Sequence, residues 1–168
     1  AKLGTPLSNF EAGENYRDVD DPALTVAFPL LSDPSTSILA WTTTPWTLVS
    51  NLALMVGPDI DYVKIKDVKL NQQYILAKSR LSAFYKAEED YEILEEFKGS
   101  TLNGLKYEPL FSYFEDRQEK GAFRVILEPT VSLDDGTGVV HSAPAFGEVD
   151  FYACQREKIA LVCPVNSN

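Results

Sequence analysis

Short apolar segments separated by turn-forming residues run through most of this chain, and this spacing limits the folds that it can adopt. Runs of about four to eight residues rich in β-branched and aromatic side chains predict strands, here at 23–30, 37–43, 51–56, 60–66, 72–78, 91–97, 122–127 and 138–141. Two segments, 79–87 with Ser79 as its cap and 148–158, have helical features instead. Many short strands with few helices, and no regular alternation of strand and helix, favour a closed or nearly closed β-barrel decorated with helices.

The size of the chain fits one globular domain, since 168 residues of which 45% are hydrophobic can bury a core. Residues 1–21 are polar and turn-rich and predict a connecting arm, whereas 22–168 predict the domain itself. The first and last residues look like those of a piece cut from a larger protein. No apolar run of about 18 residues and no signal peptide is visible, so we expect a soluble, intracellular protein that contacts no membrane. We also expect it to be cytoplasmic and a monomer.

The formal net charge of −10 argues against a protein that clamps duplex nucleic acid. The segment 60–86 differs from the whole, because its six cationic side chains exceed its two acids by four: Lys64, Lys66, Lys69, Lys78, Arg80 and Lys86 against Asp61 and Asp67. Such a segment is either a patch that meets a strand of RNA or simply a solvated surface.

Two polar stretches almost a hundred residues apart are the candidate functional residues. The first follows an apolar run and packs hydroxyls and indoles around Pro45: Trp41, Thr42, Thr43, Thr44, Trp46 and Thr47. The second, 136–144, carries the only histidine, His141, and is followed by Asp150 in the first turn of a predicted helix. We hypothesise that both stretches line one small polar pocket.

Each of these residues also has an ordinary structural interpretation. The threonines can be a β-branched strand end, and His141 can be a general base, a hydrogen-bond donor, a pocket wall or a core histidine. Asp150 can simply interact with the helix dipole, which is worth about 0.3–1 kcal/mol. The same dipole would keep the carboxylate ionised, as binding an ammonium group requires.

Other chemistries find little support in the sequence. Ser142 adjoins His141 but should point to the opposite face of a strand, and no Gly-x-Ser-x-Gly elbow occurs, so a serine-hydrolase triad is a weak alternative. Dinucleotide and phosphate-loop motifs are missing. Cys154 and Cys163 form no Cys-x-x-Cys pair and predict buried thiols, and one histidine cannot supply a catalytic metal site, so we expect no metal and no cofactor.

The two stretches together resemble the signature segments of the isoleucyl-tRNA synthetase editing domain, an insertion often called connective polypeptide 1. The resemblance rests on Trp41-Thr42-Thr43-Thr44-Pro45-Trp46-Thr47-Leu48 with Ser50-Asn51, and on Gly136-Thr137-Gly138-Val139-Val140-His141-Ser142-Ala143-Pro144 with Gly147 and Asp150. The flanks 4–11 and 163–165 resemble those of the same insertion. Valyl and leucyl editing domains typically have an arginine and an acid where this chain has Thr44 and Trp46.

This resemblance implies an α+β fold, a helix-decorated β-barrel of the synthetase editing-domain type. It also implies hydrolysis of valine wrongly esterified to the 3′ end of isoleucine tRNA, with valyl-adenylate as a possible second substrate. The remainder of the parent synthetase would be a further partner. The histidine-bearing and lysine-serine signatures of a synthetase catalytic core are missing, so this chain should not aminoacylate.

The resemblance also implies a role for each candidate residue, with water as the nucleophile. Asp150 would pair with the α-ammonium of the substrate, and the hydroxyls of Thr42, Thr43 and Thr44 would hold the ester, the terminal ribose and the water. His141 would limit the size of the pocket and touch the sugar or ester. The side-chain pocket would be lined in part by two further residues, Trp46 and Thr47.

One competing function is a noncatalytic barrel that binds an RNA 3′ end. In that case the cationic segment 60–86 would matter and the threonine, histidine and aspartate set would not.

Overall fold

The computed structural model describes residues 23–162 and Pro164, so the predicted arm 1–21 and Cys163 lie outside the described residues. Each predicted strand segment forms a strand: β1 (Leu24–Pro29), β2 (Thr36–Thr42), β3 (Ala53–Val56), β4 (Asp61–Asp67), β5 (Gln72–Ala77), β6 (Tyr91–Lys98), β7 (Arg124–Leu127) and β8 (Val139–Ser142). Two α-helices accompany them, α1 (Leu81–Phe84) and α2 (Glu148–Arg156). Single 3₁₀ turns and short 3₁₀ helices lie between them, at Pro45–Ser50, Lys78–Arg80, Glu88–Asp90, Gly99–Leu102 and Ser112–Lys120.

The strands form one mixed sheet in the order β6-β4-β5-β2-β8-β3-β7, with β1 antiparallel to β2. On the edge of β2 away from β1, β5 pairs with the first half (Ile38 with Ile75) and β8 with the end (Trp41 with Val140), both in parallel. The strands β5 and β8 therefore follow one another along the same edge. The sheet curls into a half-barrel, which confirms the predicted α+β, helix-decorated β-barrel in an open form.

The core follows the alternation of side chains along the strands. In β4, Val63 and Ile65 are fully buried and pack with Leu76 and Leu81, whereas Lys64 and Lys66 on the other face are half-buried. A larger cluster fills the inside of the half-barrel, including Phe28, Ile38, Leu52, Leu54, Tyr107 and Ile126. Each fully buried apolar side chain of this size contributes about 1.5–3 kcal/mol, so the sheet is a firm frame for the loops at its ends.

The helices differ from the prediction at their ends. The segment 79–87 begins as a 3₁₀ turn at Lys78 and continues as α1 only to Phe84. Ser79 is not the N-cap residue, because the 3₁₀ turn already starts at Lys78 and its N-cap is Ala77. The second helix ends at Arg156, two residues before the predicted end. Within residues 23–162 and 164, none of the helices has the length and apolar character that crossing a bilayer requires.

Candidate functional site

A cavity of about 410 Å³ lies where the end of β2, the end of β8 and the start of α2 meet. Every site residue predicted from the sequence lines it: Thr42, Thr43, Thr44, Trp46, Thr47, His141 and Asp150. Trp41, Val140, Ala143, Phe146 and Gly147 complete the lining. The structure thus brings the two polar stretches together, as hypothesised, while the roles of their side chains remain predictions.

The threonines are arranged by a sharp turn at Pro45. Proline has no N–H for a sheet ladder, so β2 ends before it, and Pro45 begins the 3₁₀ helix Pro45–Ser50. This turn brings the N–H of Thr47 to 3.0 Å from the carbonyl oxygen of Thr44. The Oγ1 atoms of Thr42 and Thr44 lie 3.3 Å apart, and those of Thr44 and Thr47 lie 3.2 Å apart. These three hydroxyls therefore form a connected row, with the exposed Thr43 beside it.

His141 reaches the same row from β8, which is held between β2 and β3. Its Nε2 lies 2.9 Å from Oγ1 of Thr47. That hydroxyl donates its one hydrogen to the carbonyl oxygen of Thr44 at 2.8 Å, so it can only accept from the imidazole. The arrangement assigns the proton of the neutral ring to Nε2.

Burial decides the charge of His141. The side chain is only 5% exposed, and desolvation lowers its pKa to about 4. Its Nδ1 is fully buried and has no hydrogen-bond partner among the described residues. At neutral pH the ring is therefore uncharged, with one nitrogen occupied by Thr47 and the other inaccessible, which suits a wall better than a general base.

His141 is the only histidine in the chain, so its titration can be observed without ambiguity. We expect the imidazole Cε1 proton resonance in the folded chain to titrate near pH 4, rather than near the ordinary histidine value of 6.5. Because the unfolded chain binds this proton more tightly, the contribution of His141 to the free energy of unfolding should fall by roughly 3 kcal/mol as pH drops from 6.5 to 4. Titration of the folded protein near pH 6.5 would contradict the burial.

Asp150 enters the cavity from the first turn of α2, whose cap residue is Gly147. Oδ2 of Asp150 accepts a hydrogen bond from the backbone N–H of Ala143 at 2.8 Å. A Cβ at position 147 would lie 3.0 Å from Cγ of Asp150, so only glycine leaves the carboxylate its present space. Loop and helix together therefore fix one carboxylate oxygen and leave the other for a ligand.

Burial raises the pKa of the Asp150 carboxyl, while hydrogen bonds from the backbone N–H groups of Ala143 and Asp150 lower it by less. Desolvation thus works against the ionisation that the helix dipole was expected to favour. A cation placed beside the carboxylate would reverse the shift, because an opposite charge stabilises the ionised form. Binding of a positively charged group would consequently stabilise the ionised form of Asp150.

Ser142 does not belong to this cavity. It lies on the face of β8 opposite His141, is fully buried, and places its Oγ 3.4 Å from Sγ of Cys154. A hydroxyl sealed in the core cannot reach a substrate, so the structure argues against the triad alternative. Burial raises the pKa of the Cys154 thiol, which is the buried thiol predicted, while Cys163 lies outside the described residues.

The cationic segment 60–86 is compensated by acids from outside the segment. Lys64 lies 3.4 Å from Asp33, Lys69 lies 2.6 Å from Asp90, and Lys78 lies 2.7 Å from Glu96. Arg80 donates to backbone carbonyl groups. The three ion pairs reduce the excess of four charges counted along the sequence to one, which weakens the RNA-binding alternative.

Two further residues of the site, Ala143 and Phe146, have no sequence signal of a functional role, because one acts through its backbone and the other through its position. Ala143 supplies its N–H to Asp150, and any residue type except proline has that donor. Phe146 is 48% exposed at the rim of the cavity and has no pattern that marks it as functional.

No protein-family model matches the chain. It is 59% identical over 168 residues to the isoleucine–tRNA ligase of Protochlamydia amoebophila, covering 100% of this chain and 16% of that protein. It is 55% identical over 171 residues to the cytoplasmic isoleucine–tRNA ligase of Mus musculus, covering 98% of this chain and 14% of that protein. The chain thus spans about a sixth of the length of these relatives.

The fold is shared with solved structures of low sequence identity. The crystal structure of GlLeuRS-CP1 superposes with a TM-score of 0.63 at 20% identity, over 80% of this chain and 59% of that one. The cytosolic leucyl-tRNA synthetase editing domain of P. knowlesi gives a TM-score of 0.57 at 18% identity, over 72% of this chain and 50% of that one. These likenesses confirm the editing-domain type of fold predicted from the sequence.

Proposed function

The chain belongs to the isoleucine–tRNA ligase family, whose members it matches over its whole length, and we propose that it is the hydrolytic proofreading domain of such an enzyme. Its substrate would be tRNA for isoleucine that carries valine on its 3′-terminal ribose, with valyl-adenylate as a second possible substrate. The partners are then the single-stranded 3′ end of that tRNA and the rest of a longer, cytoplasmic synthetase.

One observation supports this proposal above the others. The cavity contains a partly buried carboxylate, Asp150, and a row of threonine hydroxyls, and its described lining includes neither lysine nor arginine. Such a cavity attracts a cation and offers neutral donors and acceptors to the atoms beside it. The α-ammonium and the ester of an aminoacyl-ribose are a cation and a neutral polar group joined by one carbon.

In the proposed reaction, the free oxygen of Asp150 accepts the substrate ammonium and thereby fixes the position of the ester. The hydroxyls of Thr43 and Thr44 hold the carbonyl oxygen and the attacking water, and Thr42 supports Thr44. Water attacks the carbonyl carbon, the bond to the ribose oxygen breaks, and that oxygen takes up a proton. Valine and the intact tRNA leave. An ester is already activated, so positioning and oxyanion stabilisation can suffice without a covalent enzyme intermediate.

The need for a second site follows from the binding energy of one methylene group, which is about 1–3 kcal/mol in an apolar pocket. Isoleucine against valine in isoleucyl-tRNA synthetase is itself the standard example of this limit. An aminoacylation pocket that fits isoleucine cannot discriminate against the smaller valine by more than this energy. A hydrolytic pocket can reject isoleucine by size. We assign this exclusion to the neutral imidazole of His141, with Thr47 beside it and Trp46 at the rim, where it is 63% exposed.

The chain alone should bind full-length tRNA weakly, since its net charge is −10 and three lysines of its cationic segment are ion-paired. We expect a dissociation constant above 1 μM at physiological salt, by fluorescence anisotropy with labelled tRNA. A short acceptor-stem helix should bind about as well as the full tRNA, because only the single-stranded end enters the cavity. Submicromolar affinity that depends on the tRNA body would contradict this proposal for its contacts.

The proposed function is tested by single-turnover deacylation of tRNA for isoleucine charged with labelled valine, with the chain in excess. We expect release of valine well above the rate without protein and no release from the same tRNA charged with isoleucine. The alternative, a noncatalytic RNA 3′-end binding barrel, predicts protection of both esters instead.

A further inference from the structure

The side chain of Arg80 connects the 3₁₀ turn that follows β5 with the loop that precedes β8. It follows β5 in the 3₁₀ turn Lys78–Arg80 and is half-buried. Its Nε donates to the carbonyl oxygen of Gly136 at 2.8 Å, and its Nη1 donates to those of Leu133 and Asp134 at 3.2 and 3.1 Å. One guanidinium therefore holds the loop that leads into β8.

This loop supports a wall of the proposed active cavity. Gly136 has a φ of +66° and packs so closely on Trp41 that a Cβ there would lie 2.8 Å from atoms of the indole side chain. Trp41 and Val140 line both the active cavity and a neighbouring cavity of about 250 Å³, whose lining also includes residues 134–138. Trp41 thus forms part of the partition between the two cavities, and Gly136 packs directly against it.

Other contacts hold the two ends of the loop. At one end, Leu133 packs against the apolar core. At the other end, Thr137 Oγ1 donates to the carbonyl oxygen of Leu39 at 2.7 Å, and the hydroxyl of Tyr62 donates to that of Gly138 at 2.6 Å, both in buried bonds next to β8. Loss of Arg80 would therefore free residues 134–136 without detaching the strand that carries His141.

We propose that Arg80 is a positioning residue for substrate binding, which fixes the loop 133–136 against Trp41 and so keeps the partition in place for the substrate. The proposal rests on the proposed function in assuming an aminoacylated tRNA end as the ligand. Arginine suits this position because its planar fork directs several N–H donors at fixed angles, whereas a lysine ammonium acts from one point. Its charge is directed at carbonyl dipoles and not at the ligand.

The test compares Arg80→Met and Arg80→Lys with the wild-type chain and with Lys78→Met, a matched control. Lys78 is a cation in the same 3₁₀ turn whose ammonium bonds to Glu96 and not to the carbonyl groups of residues 133–136. Single-turnover deacylation of valyl-tRNA is followed over a range of chain concentrations, which separates the half-saturating concentration from the plateau rate. The environment of the indole is followed by acrylamide quenching in a Trp46→Phe background, where Trp41 is the only tryptophan.

For Arg80→Met we expect the half-saturating concentration to rise about tenfold, the plateau rate to change less than about threefold, and quenching of Trp41 to increase. Arg80→Lys should recover part of both changes, and Lys78→Met should behave as wild type. Unchanged quenching and half-saturation in Arg80→Met would overturn the proposal, as would a loss confined to the plateau rate. If Arg80→Met does not fold, Arg80→Lys decides by the same two criteria.

Failure of the proposed function gives a different result. A wild-type chain that deacylates nothing would refute the hydrolase assignment, whereas the quenching experiment would still show whether Arg80 holds the partition. An increase in quenching without any hydrolytic activity would keep the structural role of Arg80 and remove its link to this substrate.

Discussion

Replacing Asp150 with alanine is expected to slow deacylation of valyl-tRNA by at least about a hundredfold. Among the described residues that line the cavity, Asp150 is the only acid, and the N–H of Ala143 holds its Oδ2 in place. Leaving a partly buried ammonium without its partner costs about 3–5 kcal/mol. Since about 1.4 kcal/mol corresponds to a tenfold change in rate, the loss should be evident in kcat/KM for the deacylation.

The fold should survive this change. The alanine variant loses one hydrogen bond but is relieved of burying a carboxylate, so we expect the free energy of unfolding to change by less than about 2 kcal/mol. Glu148→Ala is the matched control, because Glu148 lies in the same first turn of α2 and is exposed. Thermal unfolding followed by circular dichroism reports on the fold, and single-turnover deacylation reports on the activity. Equal rates for Asp150→Ala and Glu148→Ala would remove Asp150 from the site.

Replacing His141 with alanine is expected to open the cavity to isoleucine. The imidazole is nearly completely buried, and its one described hydrogen bond is to Thr47, whose own bond to the carbonyl of Thr44 can remain. The row of hydroxyls and Asp150 should therefore still work on valyl-tRNA. Hydrolysis of isoleucyl-tRNA should rise by about ten- to a hundredfold, the range that the fit of one methylene group allows.

The measurement is the ratio of single-turnover rates on valyl-tRNA and isoleucyl-tRNA for wild type, His141→Ala and Ser142→Ala. Ser142 is the next residue of β8 and faces the core, so its variant controls for a disturbance of the strand. We expect the ratio to fall only in His141→Ala. Continued refusal of isoleucyl-tRNA by that variant would contradict a steric role for the imidazole.

The local structure was largely predictable, because most strands of this chain are short β-branched runs bounded by turn residues. The sequence pattern around Pro45 did not predict the 3₁₀ helix that this residue begins. That helix brings Thr47 back onto Thr44, a contact that depends on backbone angles and not on residue type. The parallel pairings of β2 with β5 and β8 also left no local signal, since they are set by packing between distant segments.

The site was predictable as a set of residues but not in its electrostatics. A helix dipole can be inferred for Asp150 from its place in the sequence, whereas the burial that raises its pKa depends on how distant segments pack around it. The ion pair of Lys64 with Asp33 joins residues 31 positions apart. A charge count along the segment cannot include such partners, which is why the apparent cationic patch proved to be compensated.

The hydrogen bond between Thr47 and His141 joins residues 94 positions apart and bridges the two halves of the cavity. A growing chain on the ribosome therefore completes the threonine half long before the histidine half exists. Contacts of such long range form slowly, because closing the long intervening loop costs conformational entropy before the contact is made. A chain interrupted during synthesis between these segments would consequently contain the threonine hydroxyls of this cavity without His141 or Asp150.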